Sequence, residues 1–134
     1  MNKLEKTLAR HEGLRLKPYL DTVGKLTIGY GRNLDDNGIS EEEALIMMRN
    51  DIAVSHAELS QYGWFRQLDE GRQGILINMH FNLGLPRLLT FRKMIAALDK
   101  GDYNEAAEQM LDSRWAEQVG NRAVELAREM RVVK

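Results

Sequence analysis

Residues 16–34 break the helical rhythm of the rest of the chain, and that break decides the fold class. Tyr19, Val23, Leu26, Thr27, Ile28 and Tyr30 are strand formers, while Asp21, Gly24, Gly29 and Gly31 are residues of turns and bulges. Before them, Leu4, Leu8 and Ala9 share one face of a short helix. Gly13 should end that helix, and Pro18 forbids its continuation. A small, irregular antiparallel sheet next to an N-terminal helix follows.

Beyond residue 34 the pattern is helical. Asp35-Asp36-Asn37-Gly38 reads as a turn. Ser40 with Glu43 three positions later is a capping box. It opens a long helix from about 41 to 61, with Ala44, Leu45, Met48, Ile52, His56 and Leu59 expected to face inward. Further helices are expected over about 69–82, 91–98, 102–111 and 122–131, with a turn of helix at Trp115. Gly84 and Pro86 break the series, and Asp102 with Glu105 forms a second capping box. The fold class is therefore α+β: a small antiparallel sheet early, helices afterwards.

The 134 residues fit one domain. With no cysteine, neither a disulfide framework nor a thiolate metal site is available. His11, His56 and His80 lack metal-ligand spacing and read as core or helix-surface residues. No dinucleotide loop and no nucleophile elbow occurs, so neither cofactor nor metal is implied. A formal net charge of -1 argues against a DNA-binding helical protein. The charge is uneven, at +4 over residues 1–32 and -7 over 33–70. A basic face beside a cleft would suit an anionic polymer; a solvated surface would look the same.

Glycoside cleavage needs an acid for the leaving oxygen and a carboxylate on the opposite face of the sugar. Glu12 and Asp21 are candidates, one at a helix end and one in a sheet turn. Their spacing alone does not separate them from two surface acids. Their context does. The stretch His11-Glu12-Gly13-Leu14-Arg15-Leu16-Lys17-Pro18-Tyr19-Leu20-Asp21-Thr22 leads into Gly24-Lys25-Leu26-Thr27-Ile28-Gly29-Tyr30-Gly31. It resembles the phage-type lysozymes of glycoside hydrolase family 24, the family of the T-even phage endolysins. Asn78, Phe81, Phe91, Glu105-Ala106-Ala107, Ser113-Arg114-Trp115 and Asn121-Arg122-Ala123 extend the resemblance in order along nearly the whole chain.

The resemblance implies one lysozyme-like domain over 1–134. A sheet lobe at 13–39 would be joined by a helix at 40–62 to a helical lobe built from 1–12 and 63–134. It implies a muramidase that hydrolyses the β-1,4 bond between N-acetylmuramic acid and N-acetylglucosamine in bacterial peptidoglycan. Glu12 matches the general acid, whose work requires a proton at neutral pH and is favoured by partial burial. Asp21 matches the carboxylate that stays ionised and activates water. Thr27 matches the residue that holds this water. The family mechanism inverts the anomeric centre, which sets the two carboxyl groups roughly 6.5–9.5 Å apart. Arg122 matches an arginine that pairs with the catalytic glutamate, and Phe81 one that lines the sugar cleft. Asn33 and Gln109 occupy substrate-contact positions, although their residue types differ from those of the best-known member.

Two departures stand out. Arg32 stands where that member has histidine, so an Arg32–Asp51 ion pair is expected, one that does not titrate near neutrality. The link from Gly31 to Ser40 is also short, which predicts a trimmed sheet lobe. Residues 1–6 show no apolar stretch of an export signal and no run is long enough to span a membrane. The expectation is a monomer that gathers in the host or bacterial cytoplasm, is released by a holin-type pore, acts on the wall and has no stable protein partner. Two other readings are a silent peptidoglycan-binding module on the same fold and a lytic transglycosylase, which needs only the acid. Glu12, Asp21 and Thr27 together argue against both.

Overall fold

The computed structural model describes residues 1–132. The chain divides into two compact units, with the boundary between Met48 and Arg49.

The first unit opens with α1 (Lys3–Glu12), whose start is closed by a reciprocal box. The Asn2 side chain accepts from the Glu5 amide and the Glu5 carboxylate accepts from the Asn2 amide. The helix ends at Gly13, where φ is +76°, a value that only glycine adopts at no cost. Three antiparallel strands follow in the order β1 (Arg15–Leu20), β2 (Leu26–Gly29) and β3 (Arg32–Asn33). Tyr19 faces Thr27 and Leu20 faces Leu26, but Arg15 pairs with Gly29. The ladder is therefore irregular between Arg15 and Tyr19, around Pro18, which has no amide hydrogen to give. Thr27 pairs with Asn33 and Ile28 with Arg32.

The segment expected as a plain turn forms a single helical turn, α2 (Leu34–Asn37). Asn33 caps it by accepting from the Asp36 amide at 3.0 Å, which is why the turn winds up. The long helix α3 (Glu41–Leu59) starts at the expected Ser40–Glu43 box, with both halves formed. Its inward stripe is only partly realised. Leu59 is fully buried, whereas Leu45, Met48 and Ile52 are 39%, 46% and 39% exposed. The boundary between the units falls inside this helix, and these side chains join neither core.

The second unit adds α4 (Gly63–Arg66), α5 (Glu70–Leu83), α6 (Leu85–Leu88), α7 (Arg92–Lys100), α8 (Tyr103–Leu111), α9 (Arg114–Val119) and α10 (Asn121–Arg131). Two of these, α4 and α6, are single turns without a sequence expectation. Pro86 does not merely break a helix; it sits in the first turn of α6, where its missing amide hydrogen costs nothing. The core has helical spacing on every long element. Ala123, Leu126, Ala127 and Met130 line the buried face of α10, and Ala106, Ala107 and Met110 that of α8. The alanines let these two helices approach closely, and Phe65, Leu76, Met79 and Leu98 fill the remaining space without exposure.

One buried cation ties the unit together. Arg72, 7% exposed, lies over the Tyr103 ring at 3.7 Å. Its Nε donates to the Met130 carbonyl at 2.8 Å, and further nitrogens reach the Val132 carbonyl and Asp69. It thereby satisfies carbonyls at the end of α10 that would otherwise lack partners. Replacing it strands those carbonyls and removes the stacking. Arg72→Met is expected to lower unfolding free energy by about 2–3 kcal/mol in urea titration, with fold unchanged.

Candidate active site

Glu12, Asp21, Thr27 and Asn33 lie in the first unit; Phe81, Gln109 and Arg122 lie in the second.

Asp21 sits where β1 turns toward β2. Its Oδ1 accepts from the amides of Val23 at 2.9 Å and Lys25 at 2.8 Å. Its own amide donates to the Lys25 carbonyl at 2.9 Å, and Gly24, with φ of +83°, lets the loop close. One oxygen of the carboxylate is thus occupied by the backbone, which orients the group. Oδ2 accepts none of the side-chain hydrogen bonds found among the described residues.

Thr27 is 3% exposed, the one buried residue of the first unit. Its hydroxyl donates to the Lys25 carbonyl at 2.9 Å. That carbonyl therefore accepts from both Asp21 and Thr27, and the Lys25 amide hydrogen holds the Asp21 carboxylate. The two candidate residues are braced by one residue of backbone. Because the hydroxyl hydrogen is used, the free lone pair of Thr27 can only accept.

Glu12 is the last residue of α1, and its carboxylate lies against Gly31. A methyl group added to the Gly31 α-carbon would stand 2.7 Å from Glu12 Oε2 and 3.3 Å from its carboxyl carbon. Gly31 also has φ of +79°, unfavourable for any side chain. Two separate reasons therefore require glycine here. The sequence pointed to Gly31 as a turn residue; its contact with Glu12 had no signal in the spacing.

Arg32 meets a different acid from the one expected. Its guanidinium forms a two-pronged pair with Glu43, at 2.8 and 2.5 Å, and donates to the Gly38 carbonyl at 3.1 Å. Glu43 rather than Asp51 is the partner because the capping box has already turned its carboxylate back over the start of α3. The Arg32 hydrogen bonds and the Ser40 amide, helped by the Ser40 hydroxyl and the Arg32 charge, outweigh its desolvation. They lower the Glu43 carboxyl from its ordinary 4.5 to about 2. The same contact holds Arg32 above its ordinary value.

Asn33 has both ends of its amide engaged. The oxygen caps α2 and the nitrogen donates to Asp36 Oδ2 at 2.9 Å. Asp36 also pairs with Lys25 at 3.1 Å, and the neighbouring Asp35 accepts from the Leu26 amide at 2.6 Å. The short link between β3 and α3 is thus stapled onto β2.

In the second unit Arg122 is bound to Asn78, donating to its side-chain oxygen at 2.9 Å and its carbonyl at 3.1 Å. Phe81 is 44% exposed and lines a cavity of about 260 Å³ with Asp51, Val54, Ser55 and His80. Gln109 belongs to a separate cavity of about 460 Å³, where Arg87, Arg92, Lys93 and Arg114 surround Phe91 and Trp115. Its amide nitrogen donates to Glu105 at 2.8 Å. Phe81 and Gln109 therefore do not share one pocket. Among the described residues no group of three or more His, Asp or Glu is placed to hold a metal ion.

Residues 9–131 match the phage lysozyme family. The chain belongs to that family. It is a glycoside hydrolase of the lysozyme class, a peptidoglycan hydrolase in the general sense. It is 30% identical to the pre-baseplate central spike protein Gp5 of Enterobacteria phage T4 over 146 aligned positions, which cover 87% of this chain but 25% of the spike protein. The chain thus spans about a quarter of that relative's length. It is 27% identical to probable T4-type lysozyme 1 of Dictyostelium discoideum, with 92% of this chain and 90% of that protein covered. The endolysin of Acyrthosiphon pisum secondary endosymbiont phage 1 is 31% identical, with 81% of this chain and 74% of that protein covered.

Two measurements test this geometry. In Gly31→Ala the new methyl group must displace the Glu12 carboxylate while the backbone leaves its preferred φ. Lytic activity is expected to fall at least tenfold, on the order of what a misplaced catalytic group costs, with a smaller effect on melting temperature. The depressed Glu43 carboxyl sets a pH dependence. Its contribution to stability, small for a pair this open to solvent, is complete above about 4.5 and is lost as pH falls toward about 2. Thermal melts of Glu43→Gln should therefore show a shallower loss of stability than the wild type across that window.

Proposed function

We propose that this lysozyme cleaves the β-1,4 bond between N-acetylmuramic acid and N-acetylglucosamine in bacterial peptidoglycan, with inversion, and so lyses cells. The observation that carries the reading is the Lys25 brace, which orients Asp21 and Thr27 from one peptide segment.

Glu12 is the general acid. It gives its proton to the glycosidic oxygen as the bond to the anomeric carbon breaks. Asp21 is the base on the opposite face of the sugar, with Oδ2 as the working oxygen because Oδ1 is held by two amides. A water held there donates one hydrogen to Asp21 and the other to Thr27. Thr27 can receive it because its own hydrogen is committed to the Lys25 carbonyl. The lone pairs of the water then face the developing positive charge on the sugar. Attack passes one proton to Asp21, and the new hemiacetal carries the inverted configuration.

Phe81, Arg122, Asn33 and Gln109 are assigned to substrate on resemblance. The partly exposed Phe81 ring suits the apolar face of a sugar. Arg122 and Asn33 first have to give up present partners, Asn78 and Asp36. Action as a monomer, after release through a holin-type pore, completes the reading. Among the described residues no helix is long and apolar enough to cross a membrane, so these helices do not provide the passage.

Clearing of purified peptidoglycan by wild type and by Glu12→Gln tests the assignment. Wild type should clear and the variant should lose activity by at least a hundredfold, on the order of a general acid's contribution. Equal clearing by both would remove Glu12 from the mechanism, and no clearing by either would favour a silent wall-binding module. Separately, the first reducing ends released should be the inverted anomer; retention would refute water activation by Asp21.

A further inference from the structure

We propose that the Arg32–Glu43 pair is a positioning strut for the general acid. The inference rests on Glu12 being that acid.

The chain of contacts runs from the start of α3 to the Glu12 carboxylate. Glu43 is anchored at the beginning of that helix, accepting from the Ser40 amide at 2.9 Å while its own amide donates to the Ser40 hydroxyl at 3.1 Å. Its two carboxylate oxygens receive the two terminal nitrogens of Arg32. Such a forked pair constrains direction as well as distance. Arg32 is the residue after Gly31, and the Gly31 α-carbon is the surface against which Glu12 Oε2 rests.

The turn needs this support. Gly29 and Gly31 both have positive φ, at +71° and +79°, and flank Tyr30. Glycine backbone is torsionally soft, so two glycines in three residues leave the turn with little stiffness of its own. The strand after it, β3, is two residues long and pairs with β2 at Thr27–Asn33 and Ile28–Arg32 only. A ladder this short leaves freedom that side chains must remove. Arg32 removes it from two directions, through Glu43 and through the Gly38 carbonyl at 3.1 Å.

The exposure of the pair separates positioning from stability. The Arg32 and Glu43 side chains are 38% and 41% exposed. An ion pair so open to water adds little to global stability. Its effect is on where Gly31 stands, and hence on where the Glu12 carboxylate can stand. None of the substrate contacts assigned above involves Arg32 or Glu43, so loosening the strut is expected to slow the chemical step more than it weakens binding.

The test is kinetic. Arg32→Gln, Glu43→Gln and the charge-reversed Arg32→Glu/Glu43→Arg double variant are assayed on soluble, uncrosslinked peptidoglycan strands beside wild type and Glu12→Gln. Each single variant is expected to lose on the order of tenfold in kcat, with KM within about twofold and melting temperature nearly unchanged. The double variant restores the ion pair but not the Gly38 and Ser40 contacts, so it should recover part of that loss. Arg32→Lys keeps the charge without the fork and should fall between, which keeps the test readable if a glutamine variant folds poorly. Wild-type kcat in folded single variants would overturn the strut, as would a loss that merely follows the unfolded fraction. An active Glu12→Gln enzyme would instead overturn the acid assignment. A dead Glu12→Gln beside fully active Arg32 variants would overturn the strut alone.

Discussion

The backbone of Lys25 is the joint on which the sheet end of this molecule depends. Its amide hydrogen holds the Asp21 carboxylate, and its carbonyl takes the Asp21 amide and the Thr27 hydroxyl. A carboxylate placed by backbone amides keeps its direction without a charged neighbour. The Lys25 side chain is turned elsewhere, to Asp36 at 3.1 Å. One residue thus supplies the brace through its peptide groups and staples the short link to β2 through its ammonium group.

The parts of the fold legible in the sequence were those set by local chemistry. The end of α1 at Gly13, the Ser40–Glu43 box and the helical stripes of α8 and α10 follow from residue types a few positions apart. The single turns α4 and α6 were not legible, since four residues are too few to show a period. The middle of α3 was misread for a different reason. Its apolar residues have helical spacing, but spacing says only that they share a face, not that a core meets that face. Arg32 shows the same limit for ion pairs. Its type predicted an acidic partner on α3, and the capping geometry of Glu43 decided which one.

The candidate site was readable in the sequence as a set of expected residues, and its arrangement was not. Glu12, Asp21 and Thr27 stand out through motif context, and the family match over residues 9–131 agrees with that context. The contact of Gly31 with Glu12 and the shared role of Lys25 come from chain segments meeting in space, which no local pattern encodes. A network in the second unit is of the same kind. The Ser55 hydroxyl lies 2.8 Å from His80 Nδ1, and His80 Nε2 lies 2.7 Å from Glu58, linking α3 to α5 across 25 and 22 residues. With the hydrogen on Nε2 donated to Glu58, Nδ1 accepts from the serine hydroxyl, so both ring nitrogens have a partner.

The two units are stabilised by different physics. The second is held by burial: among the described residues twenty apolar side chains form its core, including the fully enclosed Phe65, Leu76, Met94 and Met130. In the first, Thr27 alone is buried, and its elements are joined by hydrogen bonds and ion pairs between nearby residues. A unit this small has too little interior to hold its turns by packing, so polar contacts have to do so. Such contacts are directional, which suits the placement of two carboxylates, but they are exposed to solvent and open to protonation and salt. Acid and ionic strength should therefore disturb the Asp21 and Glu12 end well before they disturb the helical core, and activity should fail before the second unit unfolds. On the proposed mechanism, the geometry that catalysis requires is carried by the unit least able to defend it by burial. That is why a strut such as Arg32–Glu43 belongs there and not among the helices.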